Sequence, residues 1–191
     1  MKKVFKKIII VLFLIGITSW ISVDVYIYNC WRKKTSPESL SIVCDKINAT
    51  KPFPDKIIEA YDRVYPDASE REVSPDILSI IINDSQEKAP SLQIAYRFYH
   101  CGRPELNSLA NQIEKRCSIR KCIECYLTKS DYYNQCVGVS SASEFYFKKN
   151  LNDLNEEECL SLIVMSRNPS LYNPLRNPEK LKIKVNEIMK R

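Results

Sequence analysis

The stretch Gly138–Glu179 decides the fold of this chain; it reads G-V-S-S-A-S-E-F-Y-F-K-K-N-L-N-D-L-N-E-E-E-C-L-S-L-I-V-M-S-R-N-P-S-L-Y-N-P-L-R-N-P-E. Residues 140–147 form a short helical pattern. Asn155 and Glu158 then have the spacing of a capping box, directly ahead of an apolar run. The segment N-P-S-L-Y-N-P at residues 168–174 follows, and its prolines cannot continue a helix. The stretch therefore predicts two helices that end in a proline-rich turn.

Apolar residues recur at helical spacing on both sides of this stretch. They predict helices over residues 55–64, 92–99 and 180–190, helical periodicity across 106–127, and a helix that Ser74 and Pro75 open at its N-cap and N1 positions. No run alternates apolar and polar residues as a half-buried strand does. We expect an all-α fold in three regions: a membrane helix at 1–31, a tether and stem at 32–72, and a domain at 73–191.

The net charge of +6 comes from the N-terminal end of the chain. Residues 1–34 hold seven of the 29 Lys and Arg residues and one of the 23 acids, which leaves 22 of each sign in the remainder. A nucleic-acid-binding domain would concentrate positive charge on the folded part. The distribution excludes that function and indicates a membrane anchor instead.

The anchor is the uncharged run Ile8–Val23, which Val25–Trp31 extends past Asp24. About 20 apolar residues span a bilayer core. Aromatic residues gather at its far end, as at a membrane interface: Trp20, Tyr26, Tyr28 and Trp31. A cleaved signal peptide is the alternative, but no small-x-small cleavage site follows the run. We expect an uncleaved anchor with a cytoplasmic N-terminus, because four lysines and the terminal amine precede it and three basic residues follow.

Several motifs of this chain resemble those of the family-51 glycosyltransferases, which polymerise peptidoglycan. Tyr146-Phe147, the spacing to Leu154 and Glu158, and residues 168–174 are in register with that family's G-x-E-A-A-A-x-Y-F-G-K, L-T-L-A-E-A-A-L-L-A and P-S-x-Y-N-P motifs. The resemblance implies a lysozyme-like domain of the transglycosylase type. It also implies lipid II or glycan strands as ligands at the bacterial inner membrane, with the domain in the periplasm.

Two further motifs extend the resemblance upstream. Residues 124–128, E-C-Y-L-T, resemble I-L-E-x-Y-L-N, with Thr128 in place of the asparagine. Residues 107–113, N-S-L-A-N-Q-I, resemble S-T-I-T-Q-Q-L, which implies substrate-binding roles for Ser108, Asn111, Gln112 and Lys115. The segment between the two motifs is shorter than in the family and lacks the helix that carries a second essential glutamate. Glu124 is therefore a supporting catalytic candidate.

The catalytic glutamate of the family is replaced in this chain. Aligned on Ser74-Pro75, its position is Ser85. Polymerisation needs a base that deprotonates the acceptor hydroxyl, and a serine without an activating histidine does not supply one. Asp84 and Glu87 flank the position, but on a helix either carboxylate points about 100–200° away from that face.

We therefore expect a degenerate transglycosylase-like protein that binds lipid II, glycan strands or an envelope protein. One alternative is an active transglycosylase with Glu87 or Asp84 as a relocated base and Glu124 in support. Another is a structural or regulatory envelope protein that binds no substrate. No cofactor is expected; the resemblance leaves room for a divalent cation, but the sequence identifies no ligand set for one.

The cysteines leave three alternatives open. The chain has eight: Cys30, Cys44, Cys101, Cys117, Cys122, Cys125, Cys136 and Cys159. Cys122-x-x-Cys125 suits a zinc site, an oxidising periplasm favours disulfides, and buried thiols also pack as small apolar groups. Of the last six, at least one pair is expected to bridge if the compartment oxidises. Cys122 with Cys125 is a poor choice within one helix.

Overall fold

The computed structural model describes residues 2–66, 68, 73, 74, 76 and 89–191, with side chains from residue 5 onward. Nine α-helices lie in these ranges: α1 Lys2–Asn29, α2 Pro37–Asn48, α3 Asp55–Val64, α4 Pro90–Tyr99, α5 Arg103–Glu114, α6 Ile119–Lys129, α7 Val139–Phe147, α8 Glu156–Arg167 and α9 Pro178–Met189. Short 3₁₀ turns form at Cys30–Lys33 and Leu151–Asp153. The described residues contain no strand, so the all-α prediction is confirmed.

The first helix is long and apolar enough to cross a membrane from Phe5 to Lys33. Most of this helix is exposed, whereas its last turn packs on α5. Trp31, which we expected at a membrane interface, is only 4% exposed and belongs to the core of the domain. The prediction for Trp31 was wrong, because the chain turns back onto α5 directly after Asn29.

Two helices, α2 and α3, lie within residues 32–72, the range predicted as a tether and stem. The helices α2 and α3 contribute Leu40, Ile47, Ile57 and Tyr61 to the same core as the C-terminal helices. The α3 helix packs on α8, and α2 packs on α6. The predicted bounds of α3, 55–64, are correct. Pro52 and Pro54, which indicated breaks in this stem, lie directly before the start of α3.

Side-chain caps mark the start of α6 and α8. The α8 helix starts with the predicted capping box: the Glu158 amide donates to Asn155 Oδ1 at 2.9 Å, and the Asn155 amide donates to Glu158 Oε2 at 2.8 Å. Ser118 caps α6 by accepting from the Lys121 amide. This cap divides the helical pattern of residues 106–127 into α5 and α6. The helix predicted from Ser74-Pro75 lies outside the described residues, except for Ser74 and Asp76.

The loop between α6 and α7 has an unusual backbone. Tyr133, Asn134 and Gln135 have φ values of 69°, 51° and 64°, in the left-handed region. These residues stand where the family resemblance places a glycine-rich loop. The left-handed conformation costs a non-glycine residue about 1–2 kcal/mol. The loop therefore has a backbone conformation that favours glycine, although none of these three residues is glycine.

Gly138 closes this loop and starts α7, with φ 87° and ψ 148°. A Cβ atom there would lie 2.7 Å from the Thr128 carbonyl oxygen.

We predict that Gly138→Ala destabilises the domain, because it combines a rarely populated backbone conformation with a clash against rigid main chain. Such backbone strain costs about 1–3 kcal/mol. Thermal unfolding of the full-length protein in detergent measures the loss. Ala142→Gly, in the same helix, is the control for a mere change in helix propensity, which costs about 1 kcal/mol. A Gly138→Ala variant as stable as the wild type would contradict the observed geometry.

Seven of the eight cysteines are buried and all eight are free thiols. Burial raises the pKa of the Cys122 thiol to about 12, so it stays protonated and unreactive at neutral pH. Cys117 lies against Cys44: its Sγ donates to the Cys44 carbonyl oxygen at 3.7 Å. This hydrogen-bonded contact with Cys44 also raises the pKa of Cys117. Cys44 was absent from the set expected to bridge.

We predict that mild oxidation of the full-length protein with diamide links Cys44 to Cys117 before any other pair. The bridge would join residues 73 apart in sequence, and such cross-links typically stabilise a fold by about 2–4 kcal/mol. Peptide mapping under non-reducing conditions identifies the pair, and Cys136→Ser is the matched control. Bridging among the other cysteines while both Cys44 and Cys117 stay free would contradict this prediction.

Candidate functional site

The helix α5 carries three of the four side chains that the resemblance assigns to substrate binding, and the fourth, Lys115, is its C-cap. Two of the four contact the N-terminal helix. Ser108 Oγ accepts from the Trp31 amide at 3.2 Å and donates to the Tyr28 carbonyl oxygen at 2.6 Å. Lys115 Nζ donates to the Tyr28 hydroxyl at 2.6 Å. Gln112 is buried and accepts from Arg116 through its side-chain oxygen.

Two further residues near the C-terminal end of α5 contact Val73 and Ser91, which lie on either side of the segment that contains Ser85. Asn111 Nδ2 donates to the Val73 carbonyl oxygen at 3.0 Å. Glu114 accepts from the Val73 amide at 2.9 Å and from the Ser91 hydroxyl. The two residues thus bind both flanks of residues 74–90. Asp84, Ser85 and Glu87 themselves lie outside the described residues.

Sequence analysis missed Glu114. One signal was present: an acidic residue ends α5, where the negative end of the helix dipole disfavours it. An acid in that position indicates a tertiary contact that outweighs the helix dipole.

Glu124, the supporting catalytic candidate, is fully enclosed at 0% exposure. Its carboxylate pairs with Arg120 Nε at 3.1 Å and Lys121 Nζ at 2.8 Å. The Phe53 amide donates to Glu124 Oε1 at 3.3 Å. Arg120 also reaches the Phe53 carbonyl oxygen and Asp55. The group therefore ties α6 to the entry of α3, and these contacts account for a structural role of Glu124.

We predict that Glu124→Gln destabilises the domain, because it leaves two cations and a backbone amide without their anion. Removal of one partner from a buried ion pair costs about 3–5 kcal/mol, and the partial exposure of Arg120 and Lys121 puts this case at the lower end. Urea unfolding measures the change. Glu179→Gln, on the exposed side of α9, is the matched control. Equal stability of the two variants would show that the pair contributes little to folding.

Two cavities, each of 790 Å³, lie on either side of a common wall formed by Thr128, Lys129 and Val137. The first cavity extends between Phe53 and the start of α7. The second lies between α4, the end of α6 and the end of α8. Of the residues that the sequence assigned to substrate binding or catalysis, those that the structure describes (Ser108, Asn111, Gln112, Lys115 and Glu124) line neither cavity.

Tyr146 fixes the loop that supplies Val137 to this wall. Its hydroxyl donates to the Tyr132 carbonyl oxygen at 2.8 Å and accepts from Asn134 and Asn173, each at 3.0 Å. Asn173 belongs to the N-P-S-L-Y-N-P segment. The motif that carried the resemblance therefore holds the strained loop at the cavity edge.

No metal centre is evident in the part of the chain that the structure describes. Its residues include no group of three or more His, Cys, Asp or Glu side chains arranged to hold a metal ion. Cys122 and Cys125 lack further ligands, so the zinc alternative finds no support in these ranges.

The C-terminal part of this fold has known relatives. Residues 106–191 match the transglycosylase family. The resemblance to the family-51 glycosyltransferases is thereby confirmed over that segment. The match starts at Leu106 and so includes α5 to α9, whereas Asp84, Ser85 and Glu87 precede it.

Individual relatives of this transglycosylase segment are penicillin-binding proteins. Penicillin-binding protein 1A of Neisseria flavescens is 38% identical over 76 residues, which is 40% of this chain and 10% of that protein. The corresponding protein of Neisseria lactamica is 29% identical over 126 residues, 61% of this chain and 16% of its own length. Penicillin-binding protein 4 of Bacillus subtilis is 33% identical over 79 residues, 41% of this chain and 13% of its own. The matches thus span a small part of each relative.

Proposed function

We propose that this chain is a membrane-anchored, transglycosylase-like protein that binds lipid II or glycan strands and does not polymerise them. The family match supports a peptidoglycan glycosyltransferase-like function. The burial of Glu124 is the observation that best supports the proposed loss of activity. It is the one catalytic candidate among the described residues, and its carboxylate faces two cations and a backbone amide instead of a cavity.

The replacement at Ser85 supports the same proposal from the sequence. General-base assistance typically contributes about 10²–10⁴-fold to a rate. A chain with serine at that position and an enclosed Glu124 lacks this contribution unless Asp84 or Glu87 supplies it. The contacts of α5 are a second obstacle to polymerisation, because Ser108 and Lys115 bind the N-terminal helix.

We predict that the purified full-length protein forms no glycan chains from lipid II, and that Ser85→Glu does not restore the activity. Gel analysis of the products, beside an active transglycosylase, measures polymerisation. A direct binding titration with lipid II on the same preparation distinguishes a protein that binds lipid II from one that does not. Polymerisation by the wild type that is abolished by Glu87→Gln or Asp84→Asn would contradict the proposal and establish a relocated base.

The proposed location is the bacterial inner membrane, with the domain on the periplasmic side, where lipid II is polymerised. The long apolar helix and the relatives agree with a single-pass anchor. The domain lies immediately beyond the helix, since Trp31 is already part of its core.

We predict that protease added outside spheroplasts removes a tag placed at the C-terminus. Lysis before digestion is the control that shows the tag to be cleavable in either topology. Protection of the tag in intact spheroplasts would place the domain in the cytoplasm and would rule out contact with periplasmic lipid II. An envelope protein partner would then have to be sought on the cytoplasmic side.

A further inference from the structure

The second cavity has a distinctive charge. Three cations line it, Arg97 from α4, Lys129 from the end of α6 and Arg167 from the end of α8, and none of the other described residues that line it is acidic. Outside residues 1–34 the chain carries equal numbers of basic and acidic residues. The cavity is therefore a local excess of positive charge in an otherwise neutral domain.

Each of the three cations lies over an aromatic ring. Lys129 Nζ is 5.5 Å from the centre of the Phe98 ring, the Arg167 guanidinium is 5.9 Å from that of Tyr65, and Arg97 lies over Tyr126. The Arg97 guanidinium lies 5.4 Å from the centre of the Tyr126 ring, and Arg97 Nη1 donates to the Lys129 carbonyl oxygen. The Tyr126 hydroxyl donates to the Ser166 carbonyl oxygen at 3.2 Å, directly before Arg167. Tyr126 thus connects the ends of three helices around the cavity. None of the three cations forms an ion pair with an acid in the described part of the chain.

One wall of the cavity offers a flat aromatic surface. The rings of Tyr96 and His100 are stacked, with centroids 5.3 Å apart and planes 6° from parallel. Tyr96 is 55% exposed. His100 keeps this position with a left-handed backbone, φ 44°, at the C-terminal cap of α4. The cavity therefore combines hydrogen-bond donors of positive charge with a ring surface at its edge.

We propose that this cavity, lined by Arg97, Lys129 and Arg167 around Tyr126, binds the phosphate group of an anionic ligand. Guanidinium and ammonium groups form the strong, charge-assisted hydrogen bonds that phosphate oxygens accept, and arginine suits their geometry. None of the described lining residues carries a carboxylate that would compete with a phosphate for these cations. The site is separate from the positions that the resemblance assigns to substrate binding, and it does not depend on whether the chain binds lipid II.

The end of α4 lies close to the point where the chain leaves its apolar helix. Two residues that follow the apolar helix are close to the end of α4: Thr35 is near Tyr99, and Lys34 is near Cys101. A phosphate at this position has two sources, the headgroup of a membrane lipid and a soluble phosphate compound. The chemistry of recognition is the same for both, and two titrations distinguish them.

His100 gives the experiment a site-specific signal, because it is the only histidine in the chain. Its imidazole C–H resonances in the full-length protein, in neutral detergent, report on the cavity wall. One titration uses inorganic diphosphate. The other uses a short-chain phosphatidic acid, with short-chain phosphatidylcholine as its neutral-headgroup control. We expect a saturable shift of the His100 resonances with at least one of the two anionic probes, weakened by added salt.

The double variant Lys129→Gln/Arg167→Gln should weaken binding by about tenfold or more, since each factor of ten corresponds to about 1.4 kcal/mol. Lys180→Gln/Lys182→Gln removes the same charge from exposed positions on α9 and should leave binding unchanged. Arg97→Gln is a second variant in case the first fails to fold. A response to diphosphate assigns a soluble ligand, and a response to phosphatidic acid alone assigns a lipid headgroup. No shift with either probe, or equal affinity in the cavity variants and the control, would overturn the proposal.

Discussion

The hydroxyl of Ser108 fixes the relation between the apolar helix and the rest of the molecule. It lies between the Tyr28 carbonyl and the Trp31 amide, at the point where the helix ends and the chain turns into the domain. Backbone groups at a helix end need partners, and a buried group without one costs about 1–3 kcal/mol. Ser108 supplies both partners from α5, with the indole of Trp31 buried beside it. The apolar helix is therefore part of the fold and not a flexible leash.

The same helix, α5, organises the other side of the molecule. Asn111 and Glu114 bind Val73, and Glu114 also binds Ser91. One face of α5 thus joins three parts of the chain that are distant in sequence: the apolar helix, residue 73 and the start of α4. The polar residues that resemble a substrate-binding motif are used for these internal contacts. This use fits the proposal of a transglycosylase-like protein that does not polymerise glycan strands.

Sequence patterns were sufficient where the interactions are local. The capping box of Asn155 and Glu158 and the bounds 55–64 of α3 depend on neighbours within a few positions. They were insufficient where long-range packing decides. The burial of Trp31 and the inclusion of α2 and α3 in the core follow from contacts with α5, α6 and α8.

The candidate site was harder to predict than the fold, for the same reason. The resemblance assigned Ser108 and Glu124 to motifs, but it did not indicate what each side chain contacts. Only the arrangement of α1, α3 and α6 in space shows that Ser108 binds the apolar helix and that Glu124 is enclosed. The contact between Cys117 and Cys44, and the cavity around Tyr126, join helices whose spacing in sequence carries no signal.

Amide hydrogen exchange of the full-length protein, with and without lipid II, tests most directly whether α5 is a structural tether. The account predicts that the Trp31 amide, which donates to Ser108, is protected in the free protein and keeps that protection when lipid II is added. Protection of α5 by lipid II, together with faster exchange at Trp31, would contradict the account. That result would show that Ser108 gives up its hydrogen bonds to Tyr28 and Trp31 when substrate binds.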